Sequence, residues 1–76
     1  MKAKEMFEEL GYIKSTNNEY ELTYKHKANF NEITFCLEGE KVTCDNGNGK
    51  SILINEYELQ AINQQCKELG WLDEEI

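Results

Sequence analysis

Ala3, Met6, Phe7 and Leu10 recur at helical spacing, with Lys2, Lys4, Glu5, Glu8 and Glu9 between them. That pattern predicts an amphipathic helix over residues 2–10. Gly11 follows as a helix stop, because it enters the left-handed conformation at little cost. Tyr12 is then placed to pack back on Phe7. Ser15-Thr16-Asn17-Asn18 reads as a loop by composition.

The pattern then changes period. Glu19 to Lys25 alternates strictly, with Tyr20, Leu22 and Tyr24 on one side and Glu19, Glu21, Thr23 and Lys25 on the other. This predicts a half-buried strand. Alternation resumes over 32–38, with Ile33, Phe35 and Leu37 inward, and over 41–45, with Val42 and Cys44 inward. Asn46-Gly47-Asn48-Gly49 is a hairpin signal, and a fourth strand is expected at 51–54 with Ile52 and Ile54 inward.

Asn55 opens the last element as an N-cap, and Glu58 three residues on completes a capping box. Ile54 and Leu59 are spaced as a hydrophobic staple. Leu59, Ile62, Cys66 and Leu69 form the expected apolar stripe. Gly70 and Trp71 repeat the ending used at Gly11 and Tyr12, and Asp73-Glu74-Glu75 reads as a frayed acidic tail. The expected fold is therefore α+β: one domain over 1–76, two layers, a four-stranded antiparallel meander in the order α-β-β-β-β-α. Both helices should cover the one apolar face of the sheet. The other face should be polar and mostly acidic, carrying Glu19, Glu21, Thr23, Glu32, Thr34, Cys36, Glu38, Lys41 and Thr43.

Composition adds exclusions. The 76 residues hold 8 basic and 15 acidic side chains, for a net charge of −7. All the basic side chains are Lys, so the guanidinium fork that grips phosphate and guanine is missing. Direct nucleic-acid binding is not expected, because it needs clustered cations. An acidic surface suits solubility or a basic protein partner. No apolar run reaches the ~18 residues of a membrane span, and MKAKEMFEEL lacks the apolar core of a signal peptide. The three cysteines, Cys36, Cys44 and Cys66, are odd in number and widely spaced. They read as reduced thiols of a cytoplasmic protein rather than a disulfide framework or a zinc site.

Catalytic motifs fail on inspection. Gly49-Lys50-Ser51 ends like a phosphate loop, but Cys44 stands where its first Gly belongs, and a strand-like run follows instead of a helix. Asp45 to Glu56 has the length of a calcium loop, but Gly47 offers no side-chain oxygen at the third position. His26 has no partner implied by spacing. Neither an enzyme, nor a cofactor, nor a metal is expected.

The segments Ala3-Lys4-Glu5-Met6-Phe7-Glu8-Glu9-Leu10-Gly11-Tyr12, Ile33-Thr34-Phe35-Cys36-Leu37, Glu58-Leu59-Gln60-Ala61-Ile62-Asn63 and Lys67-Glu68-Leu69-Gly70-Trp71-Leu72 resemble a family of small proteins from phages and prophages of Gram-positive bacteria. The resemblance covers about half of the chain, and its motifs form the fold. It implies a phage origin and action in the cytoplasm of a bacterial host, and it carries no site residues.

The function expected is binding: an accessory protein that docks on a host or defence protein with a basic surface and modulates or inhibits it. Glu19, Glu21, Glu32 and Glu38 are the expected partner-binding residues. The alternative is a homo-oligomer that binds a small anion or nucleotide, using Tyr20, Tyr24, Lys25, His26, Lys50 and Trp71. A minor structural role in the virion is a further alternative.

Overall fold

Glycine-stopped helices bracket a single antiparallel sheet in the computed structural model, which describes residues 1–72. The elements are α1 (Ala3–Glu9), β1 (Tyr12–Asn17), β2 (Glu21–His26), β3 (Glu32–Cys36), β4 (Lys41–Asp45) and α2 (Glu56–Glu68). The four strands pair in sequence order, β1-β2-β3-β4, all antiparallel. The α-β-β-β-β-α order is the expected one. Two of its members are not. The expected acidic tail lies outside the described residues.

The first correction is β1. Its second half, read as a loop, pairs Thr16 with Thr23 and Asn17 with Leu22. The register slips between Lys14 and Thr16. Such a bulge inserts one residue and breaks the two-residue period on which a strand is recognised. The second correction is the run at 51–54. Only Ser51 bridges to β4, opposite Asp45, and Ile52 N–H reaches the Cys44 carbonyl at 3.3 Å. Leu53 is 97% exposed. The Asn46 to Gly49 turn does form, closed by Asn46 N–H on the Lys50 carbonyl at 2.9 Å. The chain then leaves the sheet edge to reach the start of α2.

Residues directly opposite in a ladder share a face. Leu22, Phe35 and Val42 therefore lie on one face with Tyr24, Ile33 and Cys44. This face meets both helices. The Phe7 ring of α1 stacks on Tyr24, with centroids 4.0 Å apart. Tyr24 Oη donates to Gln65 Oε1 of α2 at 2.7 Å, and Tyr12 Oη donates to Glu58 Oε2 at 2.8 Å. Ala3, Phe7, Tyr12, Leu22, Tyr24, Ile33, Phe35, Ala61 and Ile62 make the core.

The helix ends follow the sequence closely. Asn55 Oδ1 accepts from Glu58 N–H at 2.8 Å, and Glu58 Oε1 accepts from Asn55 N–H at 2.9 Å, a complete capping box. At the other end Gly70 N–H bonds to the Lys67 carbonyl and Trp71 N–H to the Cys66 carbonyl. This is the Schellman pattern, with Gly70 at φ +82. Trp71 then packs toward Phe35, with ring centroids 6.2 Å apart. Tyr12 meets Phe7 edge-on at 5.8 Å, as expected for the matching end of α1.

The α2 stripe is rotated from expectation. Ala61, Ile62 and Gln65 are buried, whereas Leu59 is 56% exposed and Ile54 is exposed as well. The polar Gln65 takes a core position because Tyr24 needs an acceptor there. A buried hydroxyl left without a partner would cost about 1–3 kcal/mol.

Candidate functional site: an acidic end of the sheet around Tyr20

Two sets of turns cap the sheet. One end carries the turn between β1 and β2 and the turn between β3 and β4. Asn18 builds the first of these. Its Oδ1 accepts from Tyr20 N–H at 2.8 Å and from Glu21 N–H at 3.0 Å. Asn side chains compete in this way for backbone donors that a strand would use. The result is that Tyr20 falls in the turn, and its ring is 65% exposed. The expected inward placement of Tyr20 is thus corrected: the alternation is real, but the strand begins two residues later, at Glu21.

The two turns are tied together by the Tyr20 carbonyl, which accepts from Leu37 N–H at 2.9 Å. A shallow hollow lies there, lined by Glu19, Tyr20, Leu37 and Glu38. Glu21 enters β2 beside it, opposite Cys36. Glu40, at φ +54, and Gly39 close the second turn. Three of the four expected partner-binding carboxylates, Glu19, Glu21 and Glu38, therefore gather at this end beside an exposed aromatic ring. Phenol rings and carboxylates are both attractive to cations.

Glu32 does not join them. It opens β3 at the opposite end of the sheet, about 13 Å along the strand from Cys36. There it pairs with Lys25, Nζ to Oε2 at 3.5 Å. The uncovered face lacks two of its expected acids, because Glu19 and Glu38 lie in the turns outside β2 and β3. Its central row is Thr16, Thr23, Thr34 and Thr43, in register across all four strands.

Residues of the alternative pocket are dispersed. Tyr24 has no exposed surface, and burial pushes its hydroxyl up to about 12, helped by the charges of Glu68 and Glu8. It cannot line a hollow. His26 serves the fold: its Nδ1 accepts from Ala28 N–H at 3.0 Å and from Asn29 N–H at 3.3 Å, and its ring meets Tyr12 edge-on. Trp71 is partly buried against the core. Lys50 stands exposed in the turn after β4. Lys25 lines a different hollow, with Asn29, Phe30, Glu32, Asn46, Gly47 and Asn48. Tyr20 is at the far end.

Protein-family models, curated proteins and solved structures give no match to this chain.

Burial pushes the thiols of Cys44 and Cys66 above their ordinary values, so both stay protonated and weakly nucleophilic near neutral pH. Cys36 and Cys44 lie on opposite faces of the sheet. No helix among the described residues is long and apolar enough to cross a membrane.

Sequence reading missed the exposure of three aromatics, Tyr20, Phe30 and Tyr57. Tyr20 was legible from Asn17-Asn18, a pair that favours a local turn. Phe30, 64% exposed and held at φ +64, carries no comparable signal: Phe is disfavoured at positive φ.

Proposed function

We propose that this protein is a non-enzymatic, phage-type accessory protein that docks on a basic surface of a host or defence protein in a bacterial cytoplasm, and so modulates or inhibits it. The observation that carries the reading is Tyr20. A large ring is left 65% exposed on a small domain, with Glu19 and Glu38 lining the same hollow and Glu21 beside it. Exposed Tyr is the residue type enriched where protein surfaces bind. The ring supplies an apolar face, and the carboxylates supply charge for a Lys or Arg of the partner. The net charge of −7 favours encounter with such a surface.

The test is capture of partners from a lysate of a Gram-positive host, read by native mass spectrometry. Parallel captures use Tyr20→Ala, a Glu19→Lys/Glu38→Lys double variant, and Glu32→Lys. The reading predicts a heterologous complex that Tyr20→Ala weakens at least tenfold and the double reversal removes. Glu32→Lys, at the other end of the sheet, leaves it intact. The complex also weakens as salt rises, since exposed charges are screened beyond ~10 Å at 0.1 M salt. A complex indifferent to the Tyr20 and Glu19/Glu38 changes refutes this surface.

A further inference from the structure

The face of the sheet opposite the helices carries a pattern that the docking reading does not use. Thr16, Thr23, Thr34 and Thr43 run across it as a single row, one residue from each strand. Thr23 Oγ1 and Thr34 Oγ1 are hydrogen-bonded at 3.1 Å, and Thr23 is itself 5% exposed. Charges stand on both sides of this row at equal distances. On β2, Glu21 lies two residues before Thr23 and Lys25 two residues after it. On β4, Lys41 lies two residues before Thr43 and Asp45 two residues after it. Both strands therefore change sign across the threonine row.

A twofold axis along the row turns each side of the face onto the other. It lays Lys25 of one copy over Glu21 of a second, and Lys41 over Asp45, and the symmetry gives each pair twice. Threonine then meets threonine at the centre. Two-fold interfaces require one patch to be complementary to itself, and this patch is. The remainder of the molecule is not: the chain carries −7, whereas Glu21, Lys25, Glu32, Lys41 and Asp45 on this face sum to −1. Aligned sheets cross at about −30°. Lys25 and Glu21 sit only about 7 Å from the axis, so the long Lys side chain spans the offset. Lys25 already lies 3.5 Å from Glu32, and would sit between the two carboxylates. Ile13, 48% exposed on this same face, gains cover.

We infer that the threonine-rowed face is a self-complementary interface through which two copies of this chain associate face to face, with the dyad along Thr16–Thr23–Thr34–Thr43. The face offers roughly 300 Å² per copy, from four strands ~4.8 Å apart and five residues of ~3.3 Å each. That is below the standard interface size, so the dimer is weak and reversible.

Sedimentation equilibrium from about 20 µM to about 1 mM spans the range for such an affinity. The wild-type mass should rise toward two chains, and fall back in high salt. Glu21→Lys and Lys25→Glu should each hold the mass at one chain, because each sets like charges across the dyad. Mixed in equal amounts, the two variants should recover the dimer, since positions 21 and 25 of the two copies again face each other with opposite charges. Circular dichroism checks that each variant is folded. Lys41→Glu mixed with Asp45→Lys repeats the test on β4; there Asp45 also accepts from Gly47 N–H at 2.8 Å, so the β2 pair is the cleaner one. A wild-type chain that stays monomeric to the highest concentration overturns the inference. So does a dimer that survives the single reversals, or single variants that fail to complement. Lys25→Glu leaves the Tyr20 end untouched, so loss of the dimer and loss of partner docking are separable.

Discussion

Gly11 shows how tightly one position can be determined. It sits at φ +96 between α1 and β1, and a Cβ there would lie 2.6 Å from His26 Nε2. Left-handed backbone alone costs a non-glycine residue roughly 1–2 kcal/mol, and His26 cannot simply move away. Its Nδ1 holds two backbone N–H groups of the following turn, and its ring packs on Tyr12. Gly11→Ala should therefore lower stability by about 2–3 kcal/mol, combining the conformational cost with overpacking. Urea denaturation measures this, and a loss under about 0.5 kcal/mol, the usual size of a neutral surface change, would contradict it. The glycine was legible in the sequence as a helix stop. Its contact with His26 was not, because a whole strand pairing brings the two together from distant points of the chain. The same limit governs the candidate site. The acids at 19, 21 and 38 were legible as exposed charges. Their gathering around Tyr20 depends on two turns meeting through the Tyr20 carbonyl, which no local pattern encodes.

At the scale of elements, the two helices are capped by different means. α2 caps itself, and its box was readable from Asn55 and Glu58. α1 begins after Lys2, whose side chain has no acceptor to offer. The missing acceptor comes from α2: Glu68 Oε2 accepts from Ala3 N–H at 2.8 Å and from Gln64 Nε2 at 2.9 Å. Desolvation opposes the charge on Glu68, but these two hydrogen bonds and the nearby Lys2 and Lys14 outweigh it and hold the carboxyl below its ordinary value. A depressed carboxylate stabilises the fold fully at neutral pH, and that contribution fades as pH falls through the folded-state value. Glu68→Gln should thus cost stability at pH 7, on the order of 1 kcal/mol for a weakened cap. The difference from wild type should shrink in acid. Paired thermal melts at pH 7 and pH 3 test this, and a difference independent of pH would remove the ionised carboxylate from the account. Strand elements were legible where alternation ran unbroken, as in β2 and β3. β1 was hidden by its bulge, and Ser51 to Ile54 mimicked a strand by alternation, although only Ser51 bridges to β4 and Leu53 and Ile54 stand exposed.

For the molecule as a whole, the sheet and its helices are joined through two phenols. Tyr12 reaches Glu58 and Tyr24 reaches Gln65, so each hydroxyl ties the sheet to α2 from beneath α1. Both must stay protonated to donate. Burial raises both above the ordinary tyrosine value, reinforced at Tyr12 by its bond to Glu58, and Tyr24 is pushed up to about 12. A group whose folded-state value is raised stabilises the fold fully below its unfolded value. That stability is lost as pH rises through the folded value. The window therefore opens near pH ~10, where an unfolded tyrosine ionises, and extends to about 12 for Tyr24. Over it, Tyr24 alone should withdraw roughly 2–3 kcal/mol. That is a large share of what a core this small supplies, about 3–5 kcal/mol. The chain should accordingly unfold cooperatively in alkali, with loss of helix and sheet signals together in far-ultraviolet circular dichroism. Tyr24→Phe separates the cause from general alkaline damage. It leaves Gln65 without its donor and lowers stability at pH 7 by about 1–3 kcal/mol. It should also flatten the fall above pH ~10, because one of the two raised phenols is gone. A variant that keeps the wild-type slope in alkali would show that the phenols are not what couples the two layers.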